Sequence, residues 1–308
     1  MVAGLVRKAA GGSVGRLGAV VPVVAAVVSE GVIAPAPRGR YYSGRMGRNP
    51  VLRPFLFSGD DVTAVITTRH GGVSSGSYAS LNLGDRVGDD HEAVLENRRR
   101  VADALGVDRL TVPDQRHTNR VAVVGPALAG RGHDGTADSV AAFPATDALI
   151  TDLPGAALAI TAADCAPVVL FDPGRGAIGV AHSGRGGTVL GVLPKTIEAM
   201  TASYGTAPGD LLVGIGPAIG AASYEIGDAQ AAEVTAAFGD AGLLTPTRPG
   251  HCTLDVVGGL RIQLRAAGVK DANIHDMAID TRTSTDTFFS DRATRPCGRF
   301  MAVAALPA

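Results

Sequence analysis

Within residues 157–181 the chain places three short aliphatic runs, 157–161, 168–171 and 177–181, each bounded by Asp, Pro or Gly. That rhythm predicts three strands and commits the middle of the chain to a sheet. Further strands are expected at 62–67, 121–124 and 211–215, the last ending in the turn Gly214-Ile215-Gly216-Pro217. Closing strands are expected at 274–279, 288–289 and 300–305. Helical spacing appears between them. Asp90 stands as an N-cap before Val94, Leu95, Val101, Ala102 and Leu105, with Gly106 as the stop. Residues 188–203 read as one helix, Asp228 as the cap of a helix to Phe238, and 254–267 as an amphipathic helix stopped by Gly268. Residues 130–143, rich in Gly, Asp and Ser, read as a loop. Strands and helices do not alternate strictly. Mixed sheets flanked by helices are therefore expected, rather than a doubly wound sheet.

With 308 residues, 46% hydrophobic, the chain can bury a sizeable core. Residues 49–308 read as a single α+β domain. Residues 1–48 differ, carrying seven basic residues against the one acid Glu30. They are expected to be a disordered extension or the product of a start assigned too early, with Met46 as the alternative start. The apolar run at 17–28 is too short to cross a bilayer as a helix. Lys+Arg 28 against Asp+Glu 29 leaves no electrostatic grip on nucleic acid or an anionic membrane. With no Trp and 4% aromatics, a base-stacking platform is not expected. A small-molecule substrate follows. Three cysteines, Cys165, Cys252 and Cys297, do not form a disulfide framework, and a reducing, cytoplasmic location fits them.

Cys165 lies in Ala163-Asp164-Cys165-Ala166-Pro167, between two predicted strands. Pro167 favours extended backbone just before it, which puts the thiol at a strand end. His182 ends the next strand, followed by Ser183-Gly184-Arg185-Gly186-Gly187. Adjacent strands ending in Cys and His suit either a zinc site or a Cys–His nucleophile. A third candidate is His117, in Asp114-Gln115-Arg116-His117. His117, Cys165 and His182 make a Cys/His₂ set, and three protein ligands with an open position are the pattern of catalytic zinc. A single Cys or His at a strand end is more often a buried small hydrophobe or a satisfied core group. Arg69, in a Gly-rich turn, suits phosphate or a structural carboxylate. Ser80 and Asn82 suit a nucleoside or a local turn.

In order, the segments TTRHGGVS, SLNLG, ENRRR, DQRH, TDALIT, TAADCAP, AHSGRGG, GIGPAIG with SYEIG, and FFSDR followed by CGR run from Val62 to the C-terminus. Together they resemble the polyphenol oxidase (laccase)-domain family of purine nucleoside phosphorylases. The resemblance implies a four-layer α/β/β/α fold with mixed β-sheets. It implies zinc on His117, Cys165 and His182, with copper as the older assignment. It implies phosphorolysis of adenosine, inosine and methylthioadenosine, with adenosine deamination as a side activity. Two positions depart from the common pattern: Arg185-Gly186 stands where many relatives have Trp-Arg, and Arg282-Thr283 where Cys-Thr is common. Neither touches a proposed ligand; both bear on the pocket walls.

On this reading Arg69 neutralises phosphate charge, Ser80 and Asn82 contact substrate, and Asp164 is the acid/base candidate or a group that fixes its neighbour. Three rivals remain: a metal-free cysteine hydrolase using Cys165 and His182, a copper-dependent phenol oxidase, and a non-enzymatic ligand-binding module.

Overall fold

The computed structural model describes residues 52–308 apart from Leu56. The expected N-terminal extension and Met46 lie outside the described residues. In chain order the elements are β1 (Leu52–Pro54), β2 (Thr63–Thr67), α1 (His91–Leu105), β3 (Val121–Val123), α2 (Ala137–Val140), β4 (Ala148–Thr151) and β5 (Ala157–Ala162). Then follow β6 (Ala166–Asp172), β7 (Ala177–Ser183), α3 (Arg185–Val189), α4 (Val192–Tyr204), β8 (Leu212–Ile215), β9 (Glu225–Gly227) and α5 (Asp228–Phe238). The chain closes with β10 (Leu244–Arg248), β11 (His251–Leu254), α6 (Val256–Ala266), β12 (Ile274–Asp276) and β13 (Phe300–Ala305).

A four-stranded antiparallel sheet has the order β1-β2-β13-β5. A six-stranded mixed sheet has the order β12-β8-β6-β7-β4-β3, parallel only at its two edges. Side-chain alternation explains how they stack. Ile66, Ile160, Phe300 and Ala302 from the first sheet share one apolar cluster with Leu149, Val169, Phe171 and Val180 from the second. Their neighbours in sequence point the other way. Val65, Met301 and Val303 pack with Val101 and Ala102 of α1. Ile150, Val168, Leu170 and Ala181 pack with Leu193, Ile197 and Met200 of α4 and Leu260 and Leu264 of α6. The order is helix, sheet, sheet, helices: the α/β/β/α layering. Both faces of the central strands are covered, so their sequences are aliphatic throughout. A smaller antiparallel sheet, β10-β11-β9, carries α5 and a fourth cluster.

The cap of α1 forms as expected: the Asp90 carboxylate accepts from the Ala93 N–H at 2.9 Å, and Gly106 ends the helix at φ 70°. Several details differ from the sequence reading, among them the strand expected at 274–279, which ends at Asp276. The single helix at 188–203 is two, α3 and α4, because Gly191 takes a left-handed φ of 74° between them. Residues 130–143 include the short α2, capped by the Thr136 hydroxyl. Asp228 is the first residue of α5 rather than its cap, which is Gly227, and α6 is capped by Asp255 while Leu254 belongs to β11. Phe288 and Phe289 form no strand: they are buried for their rings, Phe288 lying 5.2 Å from Phe300. An apolar pair in a turn reads in sequence like a short strand.

Candidate metal centre

The site grows from the ends of β5, β6, β7 and β4. Pro167 of β6 pairs with His182 of β7, so Cys165, two residues before Pro167, falls opposite Gly184. The register leaves no room there for a side chain: a Cβ on Gly184 would lie 2.3 Å from Cys165 Sγ. Glycine at 184 is what lets the sulfur lie across the strand end beside His182.

His117 comes from a loop and has a positive φ of 60°. Asp147, just before β4 and fully buried, holds it there. One carboxylate oxygen accepts from the His117 N–H at 3.0 Å and from His182 Nδ1 at 2.9 Å. The other accepts from the N–H groups of Arg116 (3.1 Å) and Thr118 (2.7 Å) and from the Thr118 hydroxyl (2.9 Å). A carboxylate can only accept, so His182 Nδ1 carries the proton and Nε2 is left for the cavity. Asp147 thus sets the tautomer of one imidazole and the backbone of the other, as a carboxylate behind a metal-binding histidine does. Sequence reading passed over it. The signal was present in the segment TDALIT, but an Asp before a strand reads as an ordinary turn residue.

His117 Nε2 lies 3.6 Å from Cys165 Sγ, and the two imidazole rings are 4.9 Å apart at 66°. The three ligand atoms all lie within 4.8 Å of one another. Zn–S and Zn–N bonds at a tetrahedral angle put S and N about 3.6 Å apart, so the donor set fits a small tetrahedral cation. Electrostatics agree. Burial opposes charge on Cys165, but His182 and hydrogen bonds from both histidines outweigh it and bring the thiol down to about 6. Burial likewise opposes a charge on His182, yet the Cys165 thiolate and Asp147 hold its imidazolium up to about 9. Asp147 falls to about 2, against the penalty of burial, through its bond to His182 and the backbone amides. His182 is buried, Cys165 half-buried and His117 exposed, so the set is open on one side. That side faces a cavity of about 430 Å³.

Residues 63–307 match the family described as multi-copper polyphenol oxidoreductase laccase. The chain belongs to that family. Among relatives of this laccase-like family, a protein named purine nucleoside phosphorylase ORF3 from Streptomyces griseus is 42% identical over 76% of this chain and 89% of its own. A purine nucleoside phosphorylase from Corynebacterium glutamicum is 39% identical over 80% of this chain and 95% of its own. Of solved structures, YlmD from Geobacillus stearothermophilus superposes with a TM-score of 0.77 at 33% identity, covering 86% of this chain and 96% of that one. The hypothetical protein YfiH from Bacillus licheniformis gives 0.80 at 31%, covering 84% and 97%.

The laccase-like cavity takes in Asp164 but not the other three residues singled out in sequence. Asp164, at φ 89°, accepts from the hydroxyls of Thr281 and Ser290 and from the Arg292 N–H, each at 2.6 Å. It ties the Cys165 loop to the segment that closes the far wall. Arg69 bonds the carbonyls of Ala79 and Thr285 and lies 4.5 Å from the centre of the Phe289 ring. Ser80 bridges the Gly72 N–H and the Arg69 carbonyl. Asn82 is fully buried and bonded to Gly84, Asp89 and Arg299. None of the three lines the cavity. Arg292 and Tyr224, which do line it, were not picked out in sequence, while Arg185, noted there only as a departure bearing on the pocket wall, lines it too. Tyr224 and Arg292 lie far apart in the chain, in segments that carry no proposed metal ligand. Among the described residues no helix is long and apolar enough to cross a membrane.

Proposed function

We propose that the protein is a zinc-dependent purine nucleoside phosphorylase. On this reading it cleaves adenosine, inosine and methylthioadenosine with inorganic phosphate, deaminates adenosine as a side activity, and works in the cytoplasm. The observation that carries the reading is the open Cys/His₂ cluster at the wall of a cavity large enough for a nucleoside, in a chain whose relatives are named for that activity. Donor chemistry favours zinc over copper: one thiolate and two imidazoles suit a tetrahedral ion, and a single such site does not supply several coppers.

His117, Cys165 and His182 would hold the ion, which supplies Lewis acidity to a substrate oxygen when bound. The remaining work falls to the chain. Asp147 keeps His182 in the tautomer that offers Nε2. Asp164, its oxygens occupied by three donors, orients the Cys165 loop against the far wall. Arg69, Ser80 and Asn82 hold the turns behind the wall, and their part in substrate binding is indirect.

One observation favours a second reading. Asp147, His182 and Cys165 stand in the order orienting acid, base and nucleophile, as in a metal-free cysteine hydrolase. One experiment separates the two. Metal content is measured on purified protein, and free base released from adenosine and inosine is followed with and without phosphate. About one zinc per chain, with phosphate-dependent release abolished in Cys165→Ala, supports the phosphorylase. Metal-free protein that iodoacetamide inactivates towards an ester or amide substrate supports the hydrolase.

A further inference from the structure

Six arginines line the cavity. Arg86, Arg98, Arg295 and Arg299 each face a carboxylate, on Asp114, Asp85 or Asp291. Arg185 reaches out to the exposed Glu233. Among the described residues Arg292 alone of the six makes no ion pair. Its guanidinium lies 5.0 Å from the centre of the Tyr224 ring, and Nη1 donates to the Glu225 carbonyl at 2.8 Å. Its backbone N–H is anchored on Asp164, next to Cys165 in sequence. The side chain is therefore held at both ends, with an edge of the fork unused among the described residues.

Tyr224, Arg185 and Arg292 line one cavity together with His117, Cys165 and His182. Burial raises the Tyr224 phenol, and the Cys165 thiolate adds to the rise. Arg185, by charge and a hydrogen bond, and Arg292, by charge, pull against it. Arg292 lies over this ring, and Arg185 lines the same cavity. A fixed planar fork with no counter-charge, stacked on an aromatic ring, is the arrangement that accepts a phosphate dianion through paired N–H···O bonds.

We infer that Arg292, positioned by Tyr224 and Asp164 and assisted by Arg185, is the subsite for the phosphate dianion, supplied as free inorganic phosphate. This rests on the phosphorylase reading and assigns its second substrate a place. The nucleoside then occupies the rest of the cavity, with its ribose between the cluster and Arg292.

The test uses the zinc-loaded full chain. At saturating inosine, Arg292→Gln should raise the KM for phosphate about ten- to a hundred-fold, the effect of losing a charge-assisted pair of bonds. The KM for inosine and the zinc content should stay as in the parent. Arg292→Lys, which keeps the charge without the fork, should recover part of the loss, and Arg175→Gln, away from the cavity, should change nothing. Calorimetric titration with inorganic phosphate alone gives a readout independent of turnover, and Arg292→Gln should weaken binding by the same factor. If phosphate binding depends on Arg292 but no base is released, the subsite stands and the phosphorylase reading fails. If the parent phosphorolyses inosine and Arg292→Gln keeps its phosphate KM, the subsite is overturned and the reading stands. Arg292-dependent binding of inosine 5′-monophosphate without binding of free phosphate would overturn the assignment to inorganic phosphate.

Discussion

Replacing Asp147 by Asn changes almost no volume and removes one charge, which makes it a sharp probe of how the cluster is held. Each carboxylate oxygen receives donors only: His117 N–H and His182 Nδ1 on one side, two backbone N–H groups and the Thr118 hydroxyl on the other. An Asn amide must turn its NH₂ towards one of these sets. Towards the first, it drives the His182 proton to Nε2, removing a ligand lone pair, and strands the His117 amide. Towards the second, it strands the amides of Arg116 and Thr118. Either way one or two part-buried N–H groups lose their acceptor, at about 1–3 kcal/mol each if fully buried, so metal-free protein should lose about 1–4 kcal/mol of stability. Zinc affinity should fall about ten- to a hundred-fold, the usual effect of removing a carboxylate behind a metal-binding histidine. Urea denaturation of the metal-free protein and competition with a chelator measure the two effects separately. Asp147→Asn protein that binds zinc within twofold of the parent and unfolds at the same midpoint would refute the reasoning.

Other perturbations test other parts of the site. Gly184→Ala puts a Cβ 2.3 Å from Cys165 Sγ; it should displace the thiol and abolish stoichiometric zinc while leaving the far-ultraviolet circular dichroism unchanged, and a normal zinc content would contradict it. In metal-free protein the stabilisation from the Cys165 thiolate is full above the ordinary thiol range and is lost as pH falls towards 6, whereas that from the His182 imidazolium is full below the ordinary imidazole range and is lost as pH rises to 9. The two trends oppose each other over one window, so their sum is nearly level there and the pair carries a single proton. Zinc binding at pH 7.5 should then release about one proton per ion from this pair, read from calorimetry in buffers of different ionisation enthalpy; release of two, or none, would contradict the ion pair. Arg98, 1% exposed, holds the carbonyls of Leu83, Gly132 and His133. Arg98→Met should destabilise the protein by about 3–5 kcal/mol, because two buried carbonyls, the part-buried His133 carbonyl and Asp85 lose their partner; a loss under 1 kcal/mol in urea denaturation would contradict that role.

Legibility in the sequence followed the range of the interactions. The aliphatic runs at 157–161, 168–171 and 177–181 read directly as strands, because burial on both faces leaves an unbroken apolar signature. Asp90 and Gly106 read as helix ends because capping is local chemistry. Cys165 and His182 stood out because strand ends with soft donors are uncommon. The break at Gly191 escaped because apolar spacing continues across it, and Phe288 and Phe289 misled because a turn that buries two rings has the composition of a strand. Asp147 and Arg292 could not be weighed from sequence. Each acquires its meaning from partners brought beside it by the pairing of β4 with β7, or by the hydroxyls and carbonyls of distant turns. Arg69, Ser80 and Asn82 show the converse: polar residues in Gly-rich turns read as ligand contacts, and here their hydrogen bonds are made within the protein.

The amides of Arg116, His117 and Thr118 belong to no helix or strand, yet all three end on one buried carboxylate that is anchored at the head of β4. In hydrogen exchange this short stretch should therefore behave as part of the sheet, opening only when β4 and β7 part, while neighbouring loop amides without such an acceptor exchange freely. His117, the most exposed of the three candidate ligands, is in that sense mounted on the core, and a bound ion would leave by breaking its own bonds rather than by waiting for a loop to swing away.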